Sequence, residues 1–226
     1  MLRCPRVAKA WMKSALTCTN VVIMTTMGDM TKTKFHTLLH DQIRHEFTAS
    51  HQYIAIAVFY DNTDLPQLAK HFYAQAVEER NHAMMIVQYF LDRDMAVDLT
   101  GVDAVQSMFE DAREPIALAL AQEKKVTDQI VELARTARDE GDYLGEQFMQ
   151  WFLQEQVEEV ATMTTLLTVA DRAGSNLFNL EDFVARELNS KVREPRGNAP
   201  LAPAVPSDRS SIRGQPTRND EGHLRG

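Results

Sequence analysis

Four stretches of this chain carry apolar residues at helical spacing, and each stripe is broken near its middle by a carboxylate or a carboxamide. Positions seven apart on a helix share a face. On that spacing Glu46 is bracketed by Leu39 and Tyr53, Glu79 by Phe72 and Ile86, and Glu123 by Ile116 and Ile130. Gln156 lies between Met149 and Met163, and Glu159 between Phe152 and Leu166. His82 follows Glu79 by three positions, so the two side chains point the same way. A lone carboxylate in apolar surroundings costs several kcal/mol or becomes protonated. Any fold for this chain must therefore bring these groups together or compensate each one separately.

The stripes predict helices over about 34–60, 66–93, 113–140 and 143–172, with a short fifth helix over 177–188. Asp64, two residues before Pro66, marks the expected N-cap region of the second helix. "DEGDY" joins the third and fourth helices as a short turn. "DMAVDLTGVDAVQSMFED" is long and has no helical period. Helices of about 27 residues are rods near 40 Å long. Short, long and short connections between four of them predict an all-α four-helix bundle whose long connection crosses from end to end. No strand-like alternation and no solenoid repeat competes with that reading. Glu46, Glu79, Glu123 and Gln156 sit at similar depths in their helices, so they would meet in one layer.

That layer would hold four carboxylates, one imidazole and no Lys or Arg. It would take up protons or bind cations. Carboxylate oxygen with a single imidazole suits iron or manganese, and zinc less well. Cys4 and Cys18 are the only thiols, which removes a thiolate zinc site from the body and suits a reducing cytosol.

Net charge is −8, yet residues 1–30 and 189–226 each carry +3, so the body between them carries −14. An acidic body argues against nucleic acid and for cations. Residues 1–31 read as an extension that is disordered or upstream of the true start, with Met24, Met27 and Met30 as alternative starts. Its uncharged run is short for a membrane span and lacks a signal-peptide cleavage pattern. Residues 189–226, rich in Pro, Gly and Ser, read as a disordered tail, leaving 32–188 as the folded body.

The fourth helix carries Gln156-x-x-Glu159 and no His. With that feature the motifs resemble those of bacterial non-haem ferritins, most closely those of mycobacteria, over about residues 32–188. The resemblance rests on "HEF" with Glu46, "YAQAVEERNHA" with Glu79 and His82, "AQEKKVTDQI" with Glu123, and "FMQWFLQEQVEEV" with Gln156 and Glu159. It implies a ferroxidase that oxidises Fe(II) with O2 or peroxide at two irons per subunit. Glu79 would bridge them, Glu46 and His82 would complete the first site, and Glu123 and Glu159 the second.

Gln156 would hydrogen-bond near the site, Tyr53 is similar to the family's site tyrosine, and Trp151 to the tryptophan beside it. Glu78 and Glu155 resemble the added carboxylates of a third iron site shared with Glu159, although each would be equally at home as a solvated surface acid. His36, His40, His45, His51 and His71 are assigned no metal. The family further implies a cytoplasmic cage of 24 subunits around a ferric mineral. Arg80 stands where haem-binding relatives place Met, so no haem is expected. The tail suggests docking into an encapsulating shell, through "DRSSIRG" or "DEGHLRG". Two other readings compete: a cage subunit that stores iron without oxidising it, and a peroxidase of the rubrerythrin kind. The latter would want a second Glu-x-x-His and rubredoxin cysteines.

Overall fold

Each helix is fixed at its ends by groups that satisfy backbone the helix itself leaves unpaired. The computed structural model describes residues 33–190. It contains α1 (Lys34–Asn62), α2 (Pro66–Asp92), α3 (Glu114–Asp139), α4 (Tyr143–Ala173) and α5 (Leu177–Phe183). The stretch expected to complete the fifth helix winds instead as one π-helical turn, Val184–Leu188. Thr33, Asp142 and Asn176 cap α1, α4 and α5, each accepting from a backbone N–H three residues on.

Asp64 does not cap α2. It takes a left-handed turn conformation, with φ 58°, and Leu65 at the N-cap position offers no side-chain acceptor. Glu181 of α5 supplies the acceptor instead. Its two carboxylate oxygens accept from the backbone N–H groups of Gln67 and Leu68, both at 2.8 Å. An anion there also meets the positive end of the helix dipole. Glu140 does the same for α1, accepting from the Lys34 and Phe35 N–H groups at 2.9 and 3.1 Å.

α1 and α2 run antiparallel, as do α3 and α4, while the segment from α2 to α3 runs the length of α1 before α3 begins, so α2 and α3 point the same way. It is pinned there by side chains of one α1 face. His40 accepts from the Asp98 N–H (3.2 Å) and Thr48 from the Asp103 N–H (3.1 Å). The Gln52 amide both donates to and accepts from the Gln106 backbone (2.7 and 2.8 Å). The Tyr60 hydroxyl donates to the Ala112 carbonyl (2.7 Å). From His40 to Tyr60 is about 30 Å of helix, so the connection is the end-to-end crossover expected of the bundle.

At the crowded start of α4, Gly145 is required for contact. A Cβ there would lie 2.4 Å from the buried Phe35 ring. Gly174, at φ 55°, ends the same helix.

The apolar core has two parts. One packs Tyr53, Tyr60, Phe72, Ile116, Met163 and Leu166, and the other Phe35, Leu39, Ile86, Phe90, Ile130 and Phe152. No helix among the described residues is long and apolar enough to cross a membrane. Asn189 donates from its side chain to the Gln67 carbonyl (2.9 Å), so the chain stays attached one residue past 188. The expected tail beyond Ser190, with both its docking motifs, and the expected N-terminal extension lie outside the described residues.

Candidate metal centre

Between the two halves of the core the bundle carries a polar layer. Glu46 comes from α1, Glu79 and His82 from α2, Glu123 from α3, and Gln156 and Glu159 from α4. All six are at most 3% exposed. One ligand atom each from Glu46, Glu79 and His82 lies within 4.8 Å of the others. The His82 Nδ1 stands 3.3 Å from Glu79 Oε2. Its ring is held edge-on by Trp151 and Phe152, with centroids 5.4 and 5.8 Å away.

A second group joins Glu78, Glu155 and Glu159, again within 4.8 Å. Glu155 is 4% exposed and Glu78 half-buried. The alternative reading of Glu155 as a solvated surface acid is therefore wrong, because the α4 face it occupies turns into the bundle. Glu159 belongs to this group and to the polar layer, as its helix position one turn after Glu155 requires.

Glu123 belongs to neither three-residue group. It is tied into the layer by hydrogen bonds: its Oε1 accepts from the Tyr53 hydroxyl, and the Gln156 amide bonds to it as well. The Gln156 Oε1 faces Thr127 Oγ1 at 2.9 Å. That contact leaves the amide NH2 for the acceptor-only carboxylate.

Burial, then the charges of Glu123, Glu46 and Glu159, push the Glu79 carboxyl well above its usual range. Burial pushes Glu123 up to about 7, against the hydrogen bonds from Tyr53 and Gln156. Tyr53 is raised by burial and by the carboxylates it faces, Glu123 first. In the metal-free protein the layer therefore holds protons at neutral pH.

Glu46 Oε2, Glu79 Oε1 and Glu123 Oε2 are buried and accept no hydrogen bond. Buried polar atoms are ordinarily paired. Three carboxylate oxygens left without donors, beside an imidazole, make a donor set for a hard or borderline cation. The residues thus fit iron.

Three neighbours of the layer were not singled out by the sequence. Gln42 is 2% exposed and donates to Glu46 Oε1 at 2.8 Å. Gln75 donates to Glu78 Oε2 at 2.6 Å, and Thr127 holds Gln156. Each is polar on or beside a core-facing stripe, three or four residues from a carboxylate or across from one. That signal was available at Gln42, whose i+4 partner is Glu46. None of the five unassigned histidines belongs to either group. His36, however, is buried at a helix junction, 3.3 Å from Asp142. Arg80 is exposed.

Comparison with known proteins agrees with this architecture. The family model for the ferritin-like domain matches residues 36–173. Ferritin BfrB of Mycolicibacterium smegmatis is 67% identical over 172 residues, which covers 76% of this chain and 94% of the relative. Bacterioferritin BfrB of Mycobacterium tuberculosis is 68% identical over 158 residues, 70% of this chain and 87% of the relative. Among solved structures, an open pore ferritin from the archaeon Archaeoglobus fulgidus superposes with a TM-score of 0.66 at 25% identity. It covers 71% of this chain and 98% of that one. The chain belongs to the ferritin family, and within it to the bacterial ferritins of mycobacterial type.

Proposed function

We propose that this ferritin stores iron by oxidising Fe(II) at a pair of positions inside each subunit and passing Fe(III) to a mineral within a cage of 24 copies. The observation that carries the reading is the set of three buried carboxylate oxygens, on three different helices, that accept no hydrogen bond. Glu79 bridges the pair of ions. Glu46 and His82 complete one position, and Glu123 and Glu159 the other. Tyr53 and Gln156 hold Glu123 between them. Glu78, Glu155 and Glu159 take a third ion.

The chemistry follows from the ligands. Fe(II) displaces protons from Glu79 and Glu123 on entering, because a carboxylate binds metal only when deprotonated. Each Fe(II) then gives up one electron, and O2 or peroxide takes the pair. Hard anionic oxygen ligands stabilise the ferric product over the ferrous substrate. The apolar walls above and below limit water and side reactions. We further propose that the protein works in the cytoplasm and takes no haem, with Arg80 in the position of the haem-ligating Met of bacterioferritins. Exposed Phe178, Met108, Tyr143 and Val157, each at least 70% accessible in the single chain, are apolar surface that contact between copies would cover. We read residues 1–31 and the segment after Ser190 as extensions of the bundle, the second of which is the segment for any docking into a shell.

Stopped-flow mixing of metal-free protein with Fe(II) and O2 tests the central claim. Wild type should show rapid ferrous oxidation. Glu79→Ala should slow it by two orders of magnitude or more while keeping the helical fold. Wild-type rates in that variant would sink the assignment. Solution mass gives the subunit count, and the purified protein should show no Soret absorption.

A further inference from the structure

Glu46 is the only side chain α1 contributes to the two ligand groups. It reaches the centre from a helix whose outer face is bound to the crossover. A carboxylate on a three-bond stem can turn either oxygen, or both, toward a cation. Here one oxygen is already committed. The Gln42 amide, buried one helical turn earlier, donates from Nε2 to Glu46 Oε1 at 2.8 Å. Glu46 Oε2 is buried and has no amide, imidazole or hydroxyl donor; the Glu79 carboxyl is its neighbour in the layer.

The amide is itself held in that sense. Arg44 Nη2 lies 3.2 Å from His45 Nε2. Arginine has no acceptor, so this contact makes Nε2 the acceptor and places the ring proton on Nδ1. That Nδ1–H faces Gln42 Oε1 at 3.4 Å. Arg44 in turn pairs with Asp103 of the crossover. A polar chain thus runs from Asp103 through Arg44, His45 and Gln42 to Glu46, with every donor facing an acceptor. A reversed Gln42 amide would set its oxygen against a carboxylate oxygen and its NH2 against an N–H.

We propose that Gln42 is a positioning residue for the metal centre, committing Glu46 to bind metal through Oε2 alone. The inference rests on the two-ion reading above. Partners that orient a metal ligand typically account for a 10–100-fold difference in metal affinity. Without the Gln42 donor, Glu46 is free to rotate, to chelate through both oxygens or to turn away.

Cobalt(II), which binds without being oxidised by the site, separates the possibilities. Metal-free assembled protein is titrated anaerobically with Co(II), following heat and the visible d–d bands. The variants are Gln42→Met and Gln42→Leu, each also combined with Glu46→Ala. Gln42→Met should weaken the tighter Co(II) step by about tenfold and change the d–d spectrum. Thermal stability should fall modestly, because side-chain volume is kept while Glu46 Oε1 and His45 Nδ1 lose one buried partner. In the Glu46→Ala background the same substitution should change nothing further, because its effect passes through Glu46. Three results overturn the proposal: Co(II) affinity within twofold of wild type, an undiminished loss in the Glu46→Ala background, or failure of both Gln42 variants to fold and assemble. If wild type itself binds no Co(II), it is the two-ion reading that fails.

Discussion

Glu79 and Glu123 are carboxyl groups whose protons the fold holds more tightly, and the direction of the change has a consequence for stability. Both carboxyls hold their protons more tightly in the folded, metal-free protein than in the unfolded chain. Between about pH 4.5, the unperturbed value, and about pH 7, the folded value for Glu123, the native state binds the extra protons. Stability therefore falls as pH rises through this window. The Glu123 contribution is on the order of 3 kcal/mol when the whole window is crossed. Denaturant midpoints of metal-free protein should drop from pH 5 to pH 7.5, and Glu123→Gln should flatten that drop. Bound metal reverses the preference, since it requires the deprotonated forms. Anaerobic loading with Fe(II) at pH 6.5 should accordingly release protons, measurable with an indicator dye.

At the scale of elements, the four long helices were readable because each buries one continuous face, so period and burial agree. The polar layer was readable for the same reason, since Glu46, Glu79, Glu123 and Glu159 each interrupt an apolar stripe near the middle of its helix. What escaped was set by contacts distant in sequence. Asp64 looks like a cap in its local context, yet α2 is capped by Glu181, more than 110 residues away. No helix period distinguishes the π turn at Val184–Leu188 from an α-helical end. Thr127 is an ordinary helix threonine until Gln156 is brought beside it from another helix. These contacts carry measurable weight. Glu181→Ala should lower stability by about 1 kcal/mol, the usual effect of losing an N-terminal cap. Gly145→Ala should cost about 1–3 kcal/mol, because the new methyl meets the buried Phe35 ring. Chemical denaturation of the two variants beside wild type checks both values.

For the molecule as a whole, the crossover does more than connect. Its anchors at His40, Thr48, Gln52 and Tyr60 leave Leu99 and Val102 exposed between them. The two helical hairpins on either side, α1 with α2 and α3 with α4, are each joined by a short turn. They share the polar layer and both halves of the core. The hydrogen bonds that hold the crossover do not depend on an unbroken backbone near Gly101. A protease cut there should leave the parts bound to one another, and two separately made pieces ending and starting at that point should recombine into a helical protein that binds metal as the uncut chain does. The long connection would then be a covalent convenience of synthesis, and the information for pairing the hairpins would reside in the surfaces they bury.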